Sequence, residues 1–163
     1  MASARFLEGC TGVSLDYLAR EPLWKRGLDY RHGTGHGIGY LLNVHEGPNG
    51  FRYRIVPERK DSGEFKEGMV TSDEPGIYIE NAFGVRIESV IICKKGEKNE
   101  FGQFYYFDNV TLCPIDLNAV KVELLTESER AYLNDYHRSV YEKLSPFMTE
   151  EERAWLKEET REI

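Results

Sequence analysis

The sequence predicts an α+β fold, and three observations carry the prediction. Apolar residues run or alternate at strand spacing through the middle of the chain, between about residues 69 and 116. Helical spacing takes over from about residue 126 to the end. A shorter helical pattern precedes the middle, so the order is helix, strands, helices. At 163 residues the chain has the length of one domain with one real core.

The elements follow in order. "SLDYLAREPLWKRG" reads as the first helix, with Ser14 as N-cap and Leu15, Leu18, Ala19 and Leu23 on one stripe. Pro22 kinks or divides it, and Gly27 is a stop signal. "GFRYRIVPERKDSGEFKEG" is polar and turn-rich, a strand followed by surface loop. "MVTSDEPGIYIE" and "FGVRIESVIICKK" read as two strands joined by a tight turn at "ENAFG". "GQFYYFDNVTLCPID" is a third strand, whose Phe104, Tyr105, Tyr106 and Phe107 are expected to pack on both faces. Two late helices are announced by capping boxes, Thr126 with Glu129 and Thr149 with Glu152. His137 falls inside the first of them as a packing or surface residue.

Composition excludes several classes. The formal net charge of −7 argues against nucleic-acid binding, which favours a basic face. No apolar run is long enough for a membrane span, and "MASARFLEGCTG" has no apolar signal core. Cys10, Cys93 and Cys113 are too scattered for a zinc ribbon and fit a reduced, cytoplasmic protein.

The most unusual stretch is "HGTGHGIGYLLNVHEG", residues 32–47, which holds three of the four histidines and five of the fifteen glycines. It lacks the lysine of a phosphate loop, and its glycines do not match a dinucleotide fingerprint. His32 and His36 have HxxxH spacing, but the intervening glycines disfavour a helix. Alternating glycine suits an extended segment approached closely by other backbone or a ligand. In such a segment His32, Thr34 and His36 are expected on one side.

Two carboxylates complete the pattern. A hairpin turning near Asn81 places Glu74 of "SDEPG" opposite Glu88 of "GVRIESV". Opposed carboxylates repel, and the arrangement is reasonable when a proton is shared or a divalent cation sits between them. The residues alone leave open the plainer arrangement, in which both face solvent from a half-buried sheet.

"HGTGHGIGYLLNVHEGP", "TSDEPGIY" and "GVRIESV", in this order, resemble the X-prolyl aminopeptidases, and most closely their long cytosolic form in bacterial style. The resemblance runs from about Arg5 to the C-terminus and implies a partial pita-bread (creatinase/aminopeptidase-like) fold, a curved antiparallel sheet with flanking helices. It implies removal of an N-terminal residue preceding proline by two metal ions, usually manganese, with zinc or cobalt as alternatives, holding a bridging water or hydroxide. By the same resemblance His36, Glu74 and Glu88 are metal ligands. His32 and His45 bind substrate or steady the tetrahedral intermediate, and Glu74 doubles as a proton shuttle. Arg86 shares a strand face with Glu88 and orients the carboxylates.

The chain departs from the family in one respect. Two further aspartate ligands, on an earlier hairpin, have no counterpart; the only Asp before His32 are Asp16 and Asp29. Residues 1–163 are therefore expected to be the C-terminal part of the catalytic domain, inactive alone, with peptides carrying proline at the second position as the intact enzyme's substrates. The competing expectation is a noncatalytic fragment or a binding and oligomerisation module of the pita-bread family. An uncovered sheet face is expected to drive assembly into a homodimer or larger oligomer.

Overall fold

The computed structural model describes residues Met1–Ile163. In chain order the elements are β1 (Arg5–Leu7), α1 (Gly12–Leu15), α2 (Tyr17–Trp24), β2 (Gly35–His36), β3 (Gly50–Phe51), β4 (Val70–Asp73), β5 (Gly76–Ile79), β6 (Phe83–Arg86), β7 (Ser89–Asn99), β8 (Gly102–Asn109), α3 (Glu127–Leu144) and α4 (Glu150–Glu159). The chain divides into two compact units, Met1–Thr111 and Leu112–Ile163, where length alone suggested one.

In the first unit β1, β8, β7 and β4 form an antiparallel sheet in that spatial order. The register of β4 on β7 sets Asp73 opposite Ser89, and that of β5 on β6 sets Gly76 opposite Arg86. Both ladders share one centre, Asn81, which sits in the left-handed region at φ +60°. Pairing breaks between them, so Glu74 and Pro75 lie across from Ile87 and Glu88, as the hairpin centring requires. Pro75 cannot donate to a ladder, which accounts for one side of the break.

β2 pairs with β3, and the chain around β2 also borders β4. Gly37 bridges to Thr71, the Ile38 N–H donates to Val70 O at 3.1 Å, and the Glu74 N–H donates to Thr34 O at 2.7 Å. The glycines permit this insertion: a Cβ at Gly35 would lie 1.8 Å from Ser72 O, and one at Gly37 would lie 2.0 Å from Glu46 O.

The core beneath the sheet gathers Phe6, Leu15, Phe51, Phe65, Ile91, Cys93, Tyr105 and Phe107. Phe65 stacks on Phe51 at 5.0 Å between centroids and meets Phe107 edge-on at 5.2 Å. Burial of each such ring contributes about 1.5–3 kcal/mol. On β8 only Tyr105 and Phe107 are buried, while Tyr106 on the opposite face is 40% exposed. The aromatic strand therefore packs on one face, because nothing in this unit covers the other. β1 was not foreseen; it is too short to show periodicity, yet Phe6 enters the core between Phe65 and Phe107.

The first helix differs from expectation in three ways. It is divided at Asp16, not at Pro22, which is accommodated inside α2. Ser14 lies within α1, whose N-cap is Thr11. The apolar stripe stops at Leu15: Leu18 is exposed, and the buried positions are Asp16 and Arg20. Gly27 does end the helix. At φ +69° its N–H donates to Trp24 O, and the Leu28 N–H reaches Leu23 O, the paired bonds of a Schellman cap.

In the second unit both capping boxes form, Thr126 with Glu129 on α3 and Thr149 with Glu152 on α4. His137 and Val140 of α3 are fully buried, as is Leu156 of α4. The His137 Nε2 accepts the Ile115 N–H at 3.0 Å.

Candidate functional site

His32, His36, His45, Glu74 and Arg86 line one cavity of about 300 Å³ in the first unit. Glycines 33, 35, 37 and 47 form part of its wall, with Glu46, Asn49, Arg52, Arg59 and Asp61 around the rest. Of the six residues singled out from the sequence, His36 comes from β2, His32 and His45 from the connections on either side of it, Glu74 from the break after β4, and Arg86 from the end of β6. Glu88 holds the predicted backbone position, but its side chain is exposed and does not line the cavity.

The expected single-faced row of His32, Thr34 and His36 does not form. His32 and His36 meet the cavity, whereas Thr34 is buried away from it. Only residues 35 and 36 have regular strand geometry, so strict alternation never extends back to position 32.

His36 and Glu74 form the centre. Nε2 of His36 lies 3.2 Å from Oε1 of Glu74, and Nδ1 of the same ring lies 3.1 Å from Gly37 O. A carbonyl only accepts, so Nδ1 carries a proton, and in the neutral ring the Nε2 lone pair faces a carboxylate oxygen. Two electron-rich atoms at that distance repel unless a proton or a cation lies between them. Ser72 supports both partners: its hydroxyl donates to Glu74 Oε1 at 3.0 Å and accepts the His36 N–H at 3.0 Å. Nη1 of Arg86 stands 3.6 Å from Glu74 Oε2. The His45 ring packs 4.2 Å from that of His36.

A second chain of contacts fixes His32. Its Nδ1 donates to Gly33 O at 2.7 Å, and Nε2 lies 3.1 Å from the Tyr78 hydroxyl. That hydroxyl accepts from Arg86 Nε at 2.8 Å, which leaves its own proton for His32. Tyr78 was not singled out beforehand; its place in "EPGIY", four residues after Glu74, was the available signal.

Sequence reasoning also missed a buried ionic network behind the histidine segment. Arg20 is fully buried and donates to Asp16 at 2.6 Å, Asp29 at 2.7 Å, Tyr30 O at 2.9 Å and His32 O at 2.7 Å. Burial opposes the Arg20 charge, yet the carboxylates around it raise its pKa. Burial likewise opposes ionisation of Asp29, which Arg20 nevertheless holds below the usual carboxylate range. Thr34 donates to Asp16 at 2.6 Å and is joined to the Tyr30 hydroxyl, whose pKa burial pushes up to about 12. Asp16 and Asp29 are thus committed to Arg20, and neither lines the His36–Glu74 cavity.

His36 Nε2 and Glu74 fit a divalent cation by donor type and by their separation of 3.2 Å. No group of three or more His, Cys, Asp or Glu side chains converges in the manner of a closed metal cage.

Residues 1–95 match the model of metallopeptidase family M24, and residues 103–163 match the C-terminal region of peptidase M24. The chain belongs to metallopeptidase family M24. It is 46% identical over 166 residues to a probable Xaa-Pro aminopeptidase P of Coprinopsis cinerea, covering 99% of this chain and 26% of that protein. A probable Xaa-Pro aminopeptidase P of Laccaria bicolor is 46% identical over 162 residues, covering 96% and 25%. The crystal structure of the X-prolyl aminopeptidase of Caenorhabditis elegans, a cytosolic enzyme with a di-nuclear active site, superimposes with a TM-score of 0.88 at 37% identity. It matches the whole of this chain, which covers 26% of that one. The chain thus spans about a quarter of the length of the relatives it matches. The antiparallel sheets and helices form a partial pita-bread fold.

Proposed function

We propose that the chain supplies one side of a divalent-metal site in an X-prolyl aminopeptidase, an enzyme that removes an N-terminal residue preceding proline. The observation that carries the reading is the approach of His36 Nε2 to Glu74 Oε1, 3.2 Å, within one cavity. Sequence similarity to Xaa-Pro aminopeptidases along nearly all of this chain supports the same class. Manganese is the metal we favour, with zinc or cobalt as alternatives. His36 and Glu74 would hold it, and Glu88, across the break from Glu74, is the third donor in this reading. A divalent cation there supplies Lewis-acid polarisation and an acidified water.

The chain's own residues then divide the work. Glu74 takes the proton from water and passes it to the departing amine, while Arg86 and Ser72 hold its two oxygens. His32 has both nitrogens engaged, so it shapes the wall through Tyr78. His45 stacks beside His36 and is the imidazole that meets the substrate oxyanion.

For the 163 residues alone we propose little or no hydrolysis, since Asp16 and Asp29 serve Arg20. We also propose self-association, because Tyr40, Leu41 and Leu42 are 84, 79 and 95% exposed. The test is an assay of the purified chain on an X-Pro peptide with and without manganese, beside metal analysis. Stoichiometric weak metal uptake without turnover is expected. Robust manganese-dependent cleavage overturns the incomplete-site reading, and no metal uptake at all overturns the metal site.

A further inference from the structure

We infer that Arg20, acting with Asp16 and Thr34, is a positioning device that sets where the His32 and His36 imidazoles and Glu74 stand. The inference rests on the proposed site but concerns residues outside its cavity wall.

The geometry shows three anchors on alternate residues of one short segment. Arg20 grips the carbonyl of Tyr30 at 2.9 Å and that of His32 at 2.7 Å. Two residues further on, the Thr34 hydroxyl is fixed to Asp16 at 2.6 Å and to Tyr30. Asp16 in turn receives Arg20 Nε at 2.6 Å, so the three anchors close into one unit at the start of α2. The segment has no regular strand geometry before Gly35, and backbone bonds reach it at Thr34, whose N–H donates to Phe51 O at 2.9 Å. The network adds the hold on Tyr30 and His32 and fixes the Thr34 side chain.

The constraint passes to both members of the candidate site. His32 is itself a gripped residue, and His36 begins two residues after Thr34. The Thr34 carbonyl accepts the Glu74 N–H at 2.7 Å, so a shift at Thr34 moves the carboxylate as well as the histidines. Glycine at 33, 35 and 37 leaves this backbone soft, which makes an external fixture necessary. A planar guanidinium meets the requirement because it can serve two carbonyls and two carboxylates from one fixed fork, which an ammonium cannot. Site residues acquire accurate placement from such supporting bonds, and loss of a supporting partner commonly costs one to two orders of magnitude in function or metal affinity.

The experiment uses imidazole and amide NMR signals of the whole 163-residue chain, so it requires no catalysis. Thr34→Val removes the hydroxyl at constant shape, Thr34→Ser restores it, and Arg20→Lys keeps the charge while losing the fork. Thr34→Val and Arg20→Lys should each shift the His32 and His36 ring signals and the Glu74 amide. His137, in the other unit, should stay in place. Thr34→Ser should return the signals to their original positions. Unmoved His32, His36 and Glu74 signals in folded Thr34→Val or Arg20→Lys overturn the inference. So does unfolding of Thr34→Val and Arg20→Lys together, which assigns the network to stability alone. Shifted signals in a chain that takes up no manganese would sink the metal-site reading and leave the positioning device standing.

Discussion

His36 and Glu74 approach within 3.2 Å although they are 38 positions apart in the sequence, and Ser72 bonds to both. The contact exists because the chain around β2 lies against β4, and the glycines at 35 and 37 admit that approach. If the pair is a cation site, removing either donor must weaken cation uptake. His36→Ala and Glu74→Gln should each reduce manganese affinity by about tenfold or more, about 1.4 kcal/mol. Calorimetric titration checks this, with Glu46→Gln as a cavity-wall control.

The close approach also ranks the glycines. Gly27→Ala places a side chain in the left-handed region with open space around it and should cost roughly 1–2 kcal/mol. Gly35→Ala forces a methyl into Ser72 O and must displace β4, a strain of about 1–3 kcal/mol or more. Urea unfolding measures both. Only the second should also separate His36 from Glu74 and lower manganese uptake.

The buried pair behind the site predicts a larger loss. Asp16 and Arg20 have no exposed side-chain surface, so Arg20→Met strands the Asp16 carboxylate, which burial has already desolvated, while Asp29, 44% exposed, can turn to solvent. Destabilisation of about 3–5 kcal/mol is expected for breaking such a pair one-sidedly. The double variant Arg20→Met with Asp16→Leu should recover part of it, read from the urea midpoints.

The second unit should respond to acid. Burial lowers the pKa of His137, and its Nε2 must stay unprotonated to accept the Ile115 N–H. The folded state therefore favours the neutral ring. Its contribution is complete above the unfolded value of about 6.5 and is lost as pH falls from there through the lowered folded value. Thermal midpoints between about pH 7.5 and 5 should fall more steeply for the native chain than for His137→Gln.

Self-association is read directly by sedimentation. A concentration-dependent dimer or larger species is expected, and Leu41→Ser with Leu42→Ser should shift the population toward monomer.

Much of this was legible from the residues. Both capping boxes, the Gly27 stop and the turn at Asn81 were visible because each depends on chemistry within a few positions. The register opposing Glu74 and Glu88 followed from the same local turn. The Arg20 network was not legible, since Arg20 and Asp16 lie on what reads as an ordinary amphipathic helix, and their partners come from residues 29 to 34. The separation of Thr34 from the two histidines was missed because alternation was assumed where the backbone is irregular. β1 escaped notice because three residues carry no period.

The shared centre of the β4–β7 and β5–β6 ladders has a consequence for how this protein can vary. The three residues between Ile79 and Phe83 act as a ruler for everything threaded through them. One residue added there would slide Arg86 off Gly76 and Ser89 off Asp73. Because strand faces alternate, it would also turn Val85 toward the cavity and Arg86 toward solvent. Point substitutions at Glu80 or Ala82 should be tolerated freely, while a change in length by a single residue should abolish the site. Length, more than identity, is what selection must guard in this turn.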